Sequence, residues 1–204
     1  MFASALAGFV DAIAFVALGG FFVSFMSGNT TRLAVDLASG TTAAAAAAGL
    51  VATFVAGVVA GSLTSRLCGV HRRSAVFALV ALLLALAAGL SGLGAMTAAA
   101  VAMALAMGAE NAVFETDGEV RIGLTYMTGT LVKLGQRLTT AVLGGDRLGW
   151  LPYLLLWLGL AAGGFAGALT YARLGTDGLW VATAAAAALA VVSHRRPWRR
   201  ASVR

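Results

Sequence analysis

Two carboxylates stand inside apolar stretches of this chain: Asp11 in "GFVDAIAF" and Glu110 in "MGAENAVF". A charge at the centre of a membrane span costs roughly 2.5–3.5 kcal/mol on insertion scales. Asp11 therefore reads as a proton or cation site, as a ligand for a polar solute, or as half of a structural lock with Asn111 or Arg32. Glu110 comes late in its apolar run, close to Glu115, Asp117 and Glu119. That neighbourhood reads as an acid solvated at the membrane interface.

Two polar phrases share one design. "FVSFMSGNTTRL" holds Ser27, Gly28, Asn29, Thr30 and Arg32, and "GLTYMTGTLVKL" holds Thr125, Thr128, Gly129 and Lys133. Glycine loosens the backbone, and the hydroxyl and amide groups can satisfy peptide groups that a helix break sets free. A helix starting after Ser27 or Thr128 would aim its positive end at the break, beside a cation, which attracts anions or carboxylates. The same letters also allow a flat amphipathic helix, with Arg32 and Asp36 paired one turn apart. Both readings stay open at this level. No phosphate loop, HExxH or GxSxG occurs, and His71 and His194 sit beside arginines as solvated loop residues. No metal, cofactor or enzymatic activity is expected.

The elements that must carry these residues follow from the solvent. The chain is 60% hydrophobic and 11% charged, with a mean hydropathy of +0.92, where soluble domains are about a quarter charged. Spans of roughly 20 apolar residues are predicted at about 2–20, 42–65, 74–94, 95–114, 148–172 and 177–193. Helices satisfy their own peptide groups in lipid, and the alternation of a β-barrel is missing. Asp11 interrupts the first apolar run and no charged segment precedes it, so that run is expected to serve as its own insertion signal. With both termini cytoplasmic, only Arg32 and Arg173 among the cations fall on the far side, as the positive-inside rule requires. The basic loops and the tail 195–204 then fit anionic lipid, and a nucleic-acid partner is not expected.

The chain also repeats itself. Met26, Gly28, Arg32 and Leu33 align with Met127, Gly129, Lys133 and Leu134; "GFVDA" aligns with "GAENA"; and "AGVVAGSLT" aligns with "AGGFAGALT", which matches Gly57 and Gly61 to Gly163 and Gly167. Those four glycines are expected to bring helix backbones together. Three spans per copy would invert the second copy across the membrane. The predicted fold is one all-α membrane domain of six transmembrane helices in two inverted three-helix repeats, about 1–94 and 95–194. A broken or re-entrant MxG segment would follow the first helix of each.

In order and spacing, "GFVDAIAF", "LGGFFVSFMSGNTTRL", "MGAENAVF" and "LTYMTGTLVKLGQ" resemble the bacterial YoaK family, a multi-pass inner-membrane domain of unknown function. The resemblance implies functional weight at Gly8, Asp11, Gly19, Met26, Gly28, Asn29 and Thr30, and at Gly108, Asn111, Thr125, Thr128 and Gly129. It implies glutamine where this chain has Glu110, and it supplies no activity. The leading expectation is a secondary transporter or channel-like carrier of a small polar solute, a weak acid or anion being slightly favoured. Asp11 and Glu110 are candidate ligands or coupling groups for a proton. The alternative is a non-transporting membrane scaffold whose repeats only pack helices.

Overall fold

The computed structural model describes residues 1–116, 119–120 and 126–195. Its helices are α1 (Phe2–Ala17), α2 (Met26–Ala38), α3 (Ala43–Leu67), α4 (Arg72–Gly92), α5 (Met96–Glu110), α6 (Met127–Val142), α7 (Leu151–Leu174) and α8 (Leu179–Arg195). Short 3-10 turns join α3 to α4, follow α5, and join α7 to α8. The fold is helical, as the apolar runs require, apart from a ladder in which β1 (Glu115–Thr116) pairs antiparallel with β2 (Glu119–Val120).

Among the described residues four stretches are long and apolar enough to cross a membrane: Ala43–Leu67, Gly69–Gly92, Met96–Val113 and Leu151–Arg195. The last is two helices in succession. Gly175, at φ 57°, ends α7 in a conformation that only glycine adopts freely, and the chain leaves it along α8, which packs on α4 instead of α7. At 16 residues α1 rises about 24 Å, short of a hydrocarbon core of about 30 Å.

The core gathers around α5, whose Met103 and Met107 are fully enclosed with Val10 and Ile13 of α1 and Val80 and Leu84 of α4. Small residues set how closely the outer helices approach. A methyl group on Gly57 or Gly61 of α3 would strike the backbone of Leu105 or Ala109 on α5. One on Gly163 or Gly167 of α7 would strike that of Ala5 or Phe9 on α1. Gly8 and Gly108 are equally tight, against Leu160 and Phe54. Each close approach in one pair of helices has its counterpart in the other at the positions the sequence repeat aligns.

The remaining contacts are less even. α2 lies on α3 and α6 on α7, each burying a single residue, Asn29 and Thr130. α4 packs along α5, whereas α8 meets α1 sparsely and leaves an apolar groove of about 630 Å³ lined by Phe2, Phe9, Gly163, Val181 and Leu189.

Candidate functional site around the break after α1

The break lies upstream of the MxG phrase. Two consecutive glycines with positive φ, Gly19 at 65° and Gly20 at 94°, stop α1 and turn the chain into a non-helical stretch that lasts until Met26. The expectation that helices start after Ser27 and Thr128 is corrected: α2 begins at Met26 and α6 at Met127, with Phe25 and Tyr126 at their N-caps and no side-chain cap. Gly28 does not loosen the backbone. It sits in the first turn of α2 because the rings of Phe22 and Phe25 cover the place of a Cβ. Gly129, its counterpart, faces open space.

A helix break in an apolar surrounding strands peptide groups, each costing several kcal/mol if unmet in lipid. Three side chains from the flanking helices meet them. Asp11 Oδ1 accepts from the backbone N–H of Val23 at 2.7 Å and of Ser24 at 2.9 Å, and its Oδ2 accepts from Ser24 Oγ at 2.7 Å. Asn29, fully buried, takes the N–H of Phe22 at 3.0 Å and donates to the Phe22 carbonyl at 2.7 Å. Arg32 donates to the carbonyls of Gly20 at 2.8 Å and Gly19 at 3.2 Å, and its guanidinium lies 4.1 Å from the Phe21 ring centroid. Its Nε is 3.9 Å from Asp36, the i, i+4 pair expected from sequence. Asp11 thus bonds neither Asn111 nor Arg32, its anticipated partners.

The hydroxyls of the phrase serve local structure. Thr30 donates to the Met26 carbonyl at 2.8 Å, and Thr130 to that of Tyr126 at 3.1 Å, one helical turn back. Thr128 and Lys133 are exposed on α6, and Thr125 lies outside the described residues. Asn111 donates to the carbonyl of Met107 at 3.0 Å.

Beside the break is a cavity of about 220 Å³ that draws on both halves of the chain. Ser24, Phe25, Met26 and Ser27 form one wall; Phe54 and Val58 of α3 form another; Asn111 and Tyr126 close it. At about 30 Å³ per water it holds roughly seven waters or one small organic molecule. None of its lining residues is charged. The first residues of α2 and the N-cap of α6 border it, so the positive ends of two helices flank it.

The model of a family described as a protein of unknown function, DUF1275, matches residues 1–192. This chain belongs to the DUF1275 family. A UPF0700 transmembrane protein of Rhizobium meliloti is 38% identical over 196 residues, 96% of this chain and 85% of that relative. No solved structure matches significantly. The chain is therefore a membrane protein of a family without assigned activity, as the YoaK resemblance implied.

Of the residues singled out by sequence in this DUF1275 chain, Ser27 and Asn111 line the cavity, and Asp11 reaches it through Ser24. Asn29 and Arg32 hold the break, and Gly57, Gly61, Gly163 and Gly167 pack helices. The interfacial reading of Glu110 is corrected: the residue is 1% exposed, and among the described residues neither carboxyl oxygen has a hydrogen-bond partner. The repeat held the signal, since "GFVDA" over "GAENA" sets Glu110 opposite Val10, which is also fully buried. Sequence reasoning missed Ser24, Phe25, Phe54, Val58 and Tyr126. Only the double glycine of "LGGFFVS" marked where the chain would turn.

Proposed function

We propose that this chain is a secondary carrier of a small polar solute across a bacterial inner membrane, with six spans in two inverted halves and both termini cytoplasmic. Support for the inverted arrangement comes from the crossed packing. The first long helix of each half, α1 or α5, lies against the second long helix of the other, α7 or α3, through matched glycines. The short helices α2 and α6 do not cross but occupy matching places, each on the second long helix of its own half, α3 or α7.

The observation that carries the functional reading is the cavity, built where the break of the first half meets Asn111 and Tyr126 of the second. Discontinuous helices at corresponding places of inverted repeats are where transporters bind their cargo. The uneven packing of α4 on α5 and of α8 on α1 fits one of two exchangeable states.

Cargo chemistry follows from the walls. About 220 Å³ falls below the 300–1,000 Å³ or so of pockets for drug-sized ligands, so the solute is small. Arg32 is occupied by carbonyls and Lys133 is exposed elsewhere, so neither supplies an anion site. The preference for a weak acid or small anion now rests on the two helix N-termini.

A specific observation favours the competing scaffold reading: Asp11, Asn29 and Arg32 are all engaged in holding backbone. The two separate by experiment. Purified protein is screened against small metabolites by thermal shift, where a ligand stabilises by RT ln(1 + [L]/Kd), and the hits are tested for flux into proteoliposomes. Carriage of a hit by wild type, lost in Ser27→Trp with the fold intact, is the expected result. Hits that bind without crossing, or flux indifferent to Ser27→Trp, would sink the carrier.

A further inference from the structure

Among the described residues Glu110 has no structural employment. Asp11 holds a backbone break, and Asp36 pairs with Arg32. Glu110 is enclosed near the C-terminal end of α5, both its oxygens unpartnered, at the position where the first half buries Val10. The charged residues on the elements packed against α5 are Asp11 on α1, Arg66 on α3, and Arg72 and Arg73 on α4. Among the described residues none forms a hydrogen bond or ion pair with the Glu110 carboxyl. An ionised carboxylate left dry and unpaired is among the costliest arrangements a protein can hold, whereas the neutral acid leaves only a hydroxyl unmet. Ionisable groups in such places mark ion or proton paths by default.

We propose that Glu110 is a proton-binding site whose carboxyl is the neutral acid in the conformation seen here and gives up its proton when α3 and α5 part. Geometry ties this to the cavity. Its neighbour Asn111 lines the cavity, and so do Phe54 and Val58 of α3. Gly108 and Ala109, just before Glu110, are the residues that α3 grips through Phe54, Gly57 and Gly61. A movement that admits solute between α3 and α5 therefore also admits water to Glu110. The carboxyl O–H bond then breaks, its electron pair stays on the carboxylate, and the proton passes to that water; reclosure follows reprotonation. The coupling rests on the carrier reading, while the presence of the proton does not.

Infrared difference spectroscopy tests the two apart. Wild type and Glu110→Gln are reconstituted in phosphatidylethanolamine and phosphatidylglycerol vesicles. Gln is isosteric with the protonated acid, so the variant should fold, and size-exclusion elution checks that it does. We expect a carbonyl band of a protonated, weakly bonded carboxyl at neutral pH, absent in Glu110→Gln and shifting when the vesicles are moved into D₂O. No such band at neutral pH, or its persistence in the variant, overturns the proton site. A band that never exchanges with D₂O overturns the carrying role. For a solute that passes the flux test, Glu110→Gln should keep counterflow, which needs no gradient, and lose accumulation driven by a pH gradient. Accumulation equal to wild type refutes the coupling and leaves the carrier standing.

Discussion

Replacing Asp11 tests whether the acid is an architectural tie or an ion-handling group. In Asp11→Ala the backbone N–H groups of Val23 and Ser24 lose their acceptor at positions 0% and 3% exposed, where water does not reach them. Hydrogen bonds to a charged group contribute about 1.5–3 kcal/mol each, so the two amides together cost about 3–6 kcal/mol. The Ser24 hydroxyl can rotate and adds less. The insertion cost of the charge applies to α1 before the helices pack, so to first order it drops out of this difference. For a chain of this size 1 kcal/mol moves Tm by about 2–4 °C, which makes the expected fall about 6–24 °C. Asp11→Asn keeps a carbonyl for both amides and offers its NH₂ to Ser24 Oγ. It loses only the charge assistance, about 2 kcal/mol or 4–8 °C. The measurement is thermal unfolding in detergent, followed by loss of the monodisperse size-exclusion peak. Asp11→Ala within about 2 °C of wild type, or Asp11→Asn as unstable as Asp11→Ala, would refute the architectural assignment. So would Asp11→Asn that folds well yet loses gradient-driven uptake, because Asp11 would then be the coupling acid.

The glycine contacts make a sharper packing test, since α3 contains its own control. Gly57→Ala should destabilise by about 1–3 kcal/mol through overpacking, because its methyl meets the Leu105 backbone. Gly49→Ala, in open space on the same helix, should be neutral or up to about 1 kcal/mol more stable; equal Tm changes in the two would remove the close α3–α5 contact. Topology is checked with a membrane-impermeant maleimide on oriented cells. The exposed Cys68 should react only after permeabilisation, and Thr41→Cys in a Cys68→Ser background should react from outside. Both sites labelled from the same side would exclude the six-span arrangement, and both reversed would place the termini outside.

What the sequence made legible was periodic or compositional. Apolar runs located α3, α4, α5, α7 and α8 to within a few residues, because the membrane enforces length and the backbone enforces helix. The aligned glycines named the tight contacts, since a residue without a side chain in an otherwise bulky helix has few other uses. The break was less legible. Its partners are backbone groups of Phe22, Val23 and Ser24, which leave no signature in side-chain type, so Asp11 invited a search for side-chain partners that it does not use. Met26 and Met127 open helices in the place assigned to hydroxyl caps, and the groups stranded upstream of Met26 are met by Asp11 of α1 and Asn29 of α2. The cavity was illegible altogether, since it combines residues from the break, α3 and the start of α6 that only packing brings together.

Of the places where the two halves diverge chemically, the one beside Asp11 bears on the proposed proton site. Aligned through Gly8 and Gly108, the first half has Val10 followed by Asp11, and the second has Glu110 followed by Asn111. The acid has moved by one residue, which on a helix is a turn of about 100°. In the first half the carboxylate faces the break and is consumed by three donors. In the second the polar residue at the same position is an amide that bonds its own helix, and the acid has turned into the packed interior without partners. A chain in which the repeats served packing alone would gain from valine at both places, since an unpartnered buried acid only subtracts stability. Glu110→Val should therefore raise Tm if the acid is idle. If it also abolishes gradient-driven accumulation, the lost stability is the cost of a proton site retained for transport. An unchanged or lower Tm would show that Glu110 stabilises the interior, and its assignment as an unpartnered acid would fall.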